Sequence, residues 1–177
     1  MAVVTFFLDH YAGLKDSSKF HTMENHKCEV LVYWAMTLHY LTFRAFCQAT
    51  EDERKVMSAI SFVSGIEDIT VTKSQGFHGN PILILEAVVK SKKRIDSVFR
   101  SLGFKQIQDL RDTIESRLDD DSSFFFRLDK QAAFEGEIIL TTQDDVIAVK
   151  GKVEAYPNNR DNAMKTMIDY LDNMLVD

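Results

Sequence analysis

The sequence predicts an α+β fold, a two-layer sandwich in which a mostly antiparallel sheet carries helices on one face. Three observations lead there. Runs of β-branched and aromatic residues alternate with segments whose apolar residues recur at helical spacing. The elements follow in the order β-α-β-β-α-α-β-β-β-α, so most consecutive strands can pair as hairpins. The 177 residues, with seven Gly and two Pro, suit about one domain with an appendage and leave no room for a linker-dominated chain.

Residues 1–28 show weak periodicity around a polar centre from Lys15 to Lys19. Residues 1–35 therefore read as an N-terminal extension for which no pattern suggests a role, and 36–177 as a single α+β domain. A first strand is expected at about 36–48. Behind it, Thr50 and Glu53 have the spacing of a capping box, with Val56, Ala59, Ile60 and Val63 as the buried stripe of the helix and Gly65 as its stop. Strands at about 67–74 and 81–90 are joined through Gly76, Gly79, Asn80 and Pro81. The second of these is nearly all apolar, with Glu86 the exception, as expected of a central strand.

Ser91 can cap a helix facing inward through Ile95, Val98, Phe99 and Leu102, with Gly103 as its end. A further helix at about 105–118 uses Ile107, Leu110, Ile114 and Leu118. Strands follow at about 123–128, 136–141 and 145–155, with a tight turn or one helical turn from Asp129 to Glu135. Asn158 or Asp161 starts a last helix with Met164, Met167, Ile168, Leu171 and Leu175 inward.

The net charge of −6 excludes a protein that coats nucleic acid by bulk charge, but the charge is unevenly spread. Residues 87–111 hold seven Lys and Arg against two acids, and residues 112–177 hold seven against fifteen. The N-terminus lacks a basic n-region, and His39 and Arg44 interrupt the apolar stretch 30–47, so a buried strand is expected there and no membrane partner. Two cysteines are too few for a disulfide framework and favour a reduced, cytoplasmic setting.

No spacing for a zinc protease, a serine hydrolase, a phosphate-binding loop or a dinucleotide fold occurs. His21, His26 and Cys28 lie close in sequence but read as solvated side chains, and Asp119, Asp120 and Asp121 as a solvated loop, so neither metal nor cofactor is expected. Gly76 to Gly79 is first of all a hairpin turn; its functional reading is that His78 and Asn80 project from an exposed tip to touch a ligand.

The face of the sheet away from the helices carries more. In the run Phe124 to Phe126 the middle ring falls on the same face as Arg127. Lys150 and Lys152 oppose the inward Ile147, Val149 and Val153, and Arg44 shares a side with Tyr40 and Thr42. If the registers align, one open face presents Tyr40, Arg44, Phe125, Arg127, Lys150 and Lys152. Rings stack on bases and cations hold phosphates, a composition suited to RNA, although an amphipathic sheet also carries such residues without any partner. Lys92, Lys93 and Arg94 begin a helix where cations oppose the dipole, and backbone phosphates would be attracted to them.

Four motifs occur in order: Ala49 to Glu53 followed by Lys55 and Val56; His78 to Pro81; Arg127 to Ala133 with Gly136 and Glu137; and Asp144 to Ile147. Together, over about residues 38–153, they resemble the archaeal predicted exosome-subunit or RNA-binding domain family. The resemblance implies a fold similar to ribosomal protein L five, RNA binding, a cytoplasmic archaeal setting and no catalytic residues. It adds His78, Asn80, Arg127, Asp129, Lys130 and Gln131 as candidate RNA contacts.

The expectation is thus a non-catalytic RNA-binding protein, an accessory to RNA processing or the ribosome, whose partner is structured or ribosomal RNA. The alternative is a protein-interaction module docking on an RNA-processing assembly, with oligomer formation open. A third reading is an enzyme centred on His78 and the Arg127–Gln131 segment.

Overall fold

β1 (Leu38–Cys47) occupies the middle of the sheet because it is apolar on one side and pairs on both edges. Leu41, Phe43, Ala45 and Cys47 are buried, while Arg44 and Phe46 point the other way, the period of a strand covered on one face only. The computed structural model describes residues 38–76 and 79–176, so the 1–35 extension, His78 and the group His21, His26 and Cys28 lie outside the described residues.

α1 (Glu53–Ser64) follows, burying Val56, Ala59, Ile60 and Val63. Its cap is Asp52, whose carboxylate accepts from the Arg54 amide at 2.9 Å, and not Thr50. The reason is local competition. The Glu51 carboxylate accepts from the Gln48 amide and the Glu51 amide donates to the Gln48 carbonyl, so residues 48–51 close a turn and the helix starts beyond it. Gly65, at φ 66°, ends the helix with its amide donating to the Ser61 carbonyl.

β2 (Thr70–Gln75) and β3 (Pro81–Val89) form the expected hairpin. α2 (Lys92–Asp112) carries a kink at Gly103, which divides it much as the sequence predicts, and α3 (Ile114–Arg117) is one further turn. β4 (Ser123–Asp129), α4 (Lys130–Glu135), β5 (Val146–Val153) and α5 (Arg160–Val176) complete the fold. Asn159 caps α5, its side-chain oxygen accepting from the Asn162 amide at 2.8 Å, in place of Asn158 or Asp161.

The strand expected at 136–141 does not form. Only Leu140 bridges to Leu128, flanked by the Asp129 amide donating to the Ile139 carbonyl and the Thr141 amide donating to the Arg127 carbonyl, while on the outer edge the Gln106 side chain of α2 donates to the Ile138 carbonyl and accepts from the Leu140 amide. The sheet therefore has five strands in the order β2-β3-β1-β5-β4, every pair antiparallel. α1, α2 and α5 cover its inner face. There Phe99 packs against Phe124, Phe126 and Tyr170, with ring centroids 6.5, 5.8 and 5.2 Å apart, so Phe124 and Phe126 face inward and leave Phe125 outside. Among the described residues no helix is long and apolar enough to cross a membrane.

Candidate nucleic-acid interface

The register brings the outward residues into rows. Lys150 of β5 lies opposite Thr42 of β1 on one side and Phe125 of β4 on the other. In the next row Ala148 separates Arg44 from Arg127, two strand spacings or about 10 Å of backbone. Lys152 sits between Tyr40 and Ser123. The first two rows and Tyr40 line a broad groove of about 1310 Å³ on the face opposite the helices α1, α2 and α5, together with Asp68, Glu86 and Lys90, and Lys152 lies just beyond it.

The cations of this face are held differently. Arg44 forms an ion pair with Glu86 at 2.6 Å across the β1–β3 pair. The Lys150 ammonium lies 4.9 Å from the centroid of the half-buried Phe125 ring. Lys152 donates to the Asp121 carbonyl. Arg127 is exposed, and among the described residues its guanidinium makes no ion pair or hydrogen bond. Uncompensated positive charge thus collects on the β4–β5 side, whereas on the β3 side Glu86 and Asp68 offset Arg44 and Lys90. Sequence reasoning missed these two acids, although Glu86 is the single charge in an apolar strand and so the natural partner for a cation on a neighbouring one.

Lys130 is not on this face. It is 4% exposed, and its ammonium reaches Glu51 at 2.7 Å, the Phe46 carbonyl at 3.0 Å and Asp145. Burial alone would lower its pKa, but the hydrogen bonds it donates to Asp145 and Glu51 outweigh that and hold the ammonium above its ordinary range. Gln131 donates to the other Asp145 oxygen at 3.2 Å, and Asp129 caps α4 by accepting from the Ala132 amide at 2.8 Å. Three of the four sequence motifs therefore converge on one buried ammonium. A separate cavity of about 320 Å³ borders this cluster between Asp52, Lys55 and Phe134.

Asn80 is exposed at the β2–β3 turn, where its carbonyl accepts from the Gly76 amide at 2.8 Å. Lys92, Lys93 and Arg94 are exposed at the start of α2, with Arg94 donating to the Gly65 carbonyl at the end of α1 at 2.8 Å. Of the basic stretch, Lys90 reaches the groove. Among the described residues no group of three or more His, Cys, Asp or Glu is placed to hold a metal ion.

A family model described as RNA binding matches residues 40–153. RNA-binding protein PAB1135 from Pyrococcus abyssi is 31% identical over 144 residues, covering 76% of this chain and 94% of the relative. Two solved structures are similar across nearly their whole length. Protein AF2318 from Archaeglobus fulgidus shares 31% identity at a TM-score of 0.66, covering 77% of this chain and 99% of its own. Mth689, a DUF54 protein from Methanothermobacter thermautotrophicus, shares 30% at a TM-score of 0.65, covering 78% and 98%.

Proposed function

The chain belongs to the RNA-binding family whose model spans residues 40–153, and on that premise we propose that it is a non-catalytic protein that holds RNA on the open face of its sheet. The observation that carries this reading is the alignment of Phe125, Arg127 and Lys150 in adjacent rows of one groove, with Lys152 beside them. A ring offers stacking area to a base and the cations offer contacts to phosphate. Lys92, Lys93 and Asn80 are outlying contacts for a longer RNA. Arg44 serves the face by compensating the Glu86 carboxylate in their ion pair. Lys130 is withdrawn from the contact set, because freeing its ammonium would strand two carboxylates, and His78 stays a candidate outside the described residues.

The role we assign is an accessory to RNA processing or the ribosome. Crosslinking the protein to RNA in cell extract, followed by sequencing of what is bound, tests it. Enrichment of ribosomal or processing-intermediate RNA is the expected result, and recovery of no RNA above a non-binding control would refute the reading. One observation favours docking on a protein instead: Phe46 and Val88 are 50% and 45% exposed on the same open face. Salt separates the two readings, since phosphate contacts give a steep negative dependence of affinity on salt and an apolar protein contact does not.

A further inference from the structure

We infer that the groove takes an unpaired nucleotide, its base stacked on Phe125, with Lys150 leaving the ring to hold that nucleotide's phosphate. This rests on the RNA-binding reading above and names the kind of RNA. In a duplex each base is already stacked on both faces, so a ring fixed on a sheet has nothing to stack on unless a base is pulled out. An unpaired base, in a loop, a bulge or a single strand, offers a free face.

The place above Phe125 is occupied in the free protein. Lys150 sits there at 4.9 Å from the ring centroid, a weak contact at an exposed site. An incoming base displaces the ammonium, which stays in the same cross-strand row and so remains beside the bound nucleotide. Arg127 lies two residues further along β4 on the same face, about 7 Å away, where it meets the adjoining phosphate. On the β3 side Glu86 and Asp68 offset Arg44 and Lys90 and leave no surplus charge for phosphate, so the strand runs along β4 and β5 rather than across the sheet.

The test is fluorescence anisotropy on the full chain with a randomised 12-nucleotide RNA pool, single-stranded or annealed to its complement. The single strand should bind more tightly than the duplex. Phe125→Leu, which keeps apolar bulk but removes the stacking ring, should weaken the single strand about tenfold and leave the duplex unchanged. Phe125→Tyr should keep the affinity, which guards against a merely misfolded Leu variant. Lys150→Met should lower the salt slope by about one unit. Equal binding of both forms, with Phe125→Leu silent, overturns the inference and leaves the RNA reading standing. Binding of neither form overturns both.

Discussion

The Lys130 ammonium lies 2.7 Å from the Glu51 carboxylate, joining α4 to the turn before α1 across 79 positions of sequence. Asp145 and the Phe46 carbonyl complete the enclosure, so one side chain ties the end of β1, α4 and the start of β5. Removing it leaves two carboxylates facing each other. Asp145 is half in water, which screens part of the effect. Lys130→Met should therefore cost about 2 kcal/mol, less than the roughly 3–5 kcal/mol of breaking a fully buried charge pair. Urea denaturation measures it, and a loss under about 0.5 kcal/mol would show that the cluster contributes little.

The same cluster sets a pH dependence. Burial would raise the Asp145 pKa, but the hydrogen bonds from Lys130 and Gln131 hold it below its ordinary 3.8. A depressed carboxylate adds stability that is present above its unfolded value and is lost as pH falls through the folded one. Lys130, raised above 10.5, adds stability below that value and loses it as pH rises further. The difference in unfolding free energy between wild type and Lys130→Met should be flat from about pH 5 to 9 and shrink below pH 3.8. A difference that changes across neutral pH would assign the effect to another group.

The start of α1 offers a paired comparison. Asp52→Ala should cost about 1 kcal/mol, the usual loss of a capping side chain, while Thr50→Ala should stay within about 0.5 kcal/mol. Thermal or urea denaturation of the two variants side by side checks this, and the reverse order would move the cap back to Thr50.

Gly103 reverses a common rule. Alanine in place of a helical glycine normally gains stability. Here the backbone is at φ 75° and ψ 164°, a conformation open to glycine and strained for any other residue. A Cβ would meet nothing within 4 Å, so crowding plays no part. Gly103→Ala should cost about 1–3 kcal/mol through backbone strain alone, and calorimetry showing a stabilised variant would mean that the kink relaxes.

On the open face, Arg127→Ala with Lys150→Ala should weaken RNA binding and lower its salt slope by about one to two units. Neither side chain is buried, so the melting temperature should hardly move. Unchanged affinity in the folded double variant would shift the search to Lys92, Lys93 and Arg94.

What the sequence by itself determined is everything that depends on local period. Phe125 and Arg127 share a face because side chains alternate along a strand, and Val56, Ala59, Ile60 and Val63 share one because a helix turns every 3.6 residues. Gly65 and Gly103 marked their breaks because glycine adopts positive φ without the strain a Cβ brings. These relations need no knowledge of the rest of the chain.

Only the tertiary structure decided which polar groups have partners. Arg44 is paired because the register sets it opposite Glu86, and Arg127 makes no such pair among the described residues although it lies in the same row. Lys130 stands in a motif that looks like surface, yet it is buried where Glu51 and Asp145 converge. Residues 136–141 had the pattern of a strand but make a single bridge to β4, and their outer backbone groups go to Gln106, a side chain more than thirty positions away. The physical reason is common to all three. A charge or a backbone amide takes whichever partner the fold brings within hydrogen-bond distance, and that distance is set by strand register and helix packing, not by neighbours in sequence.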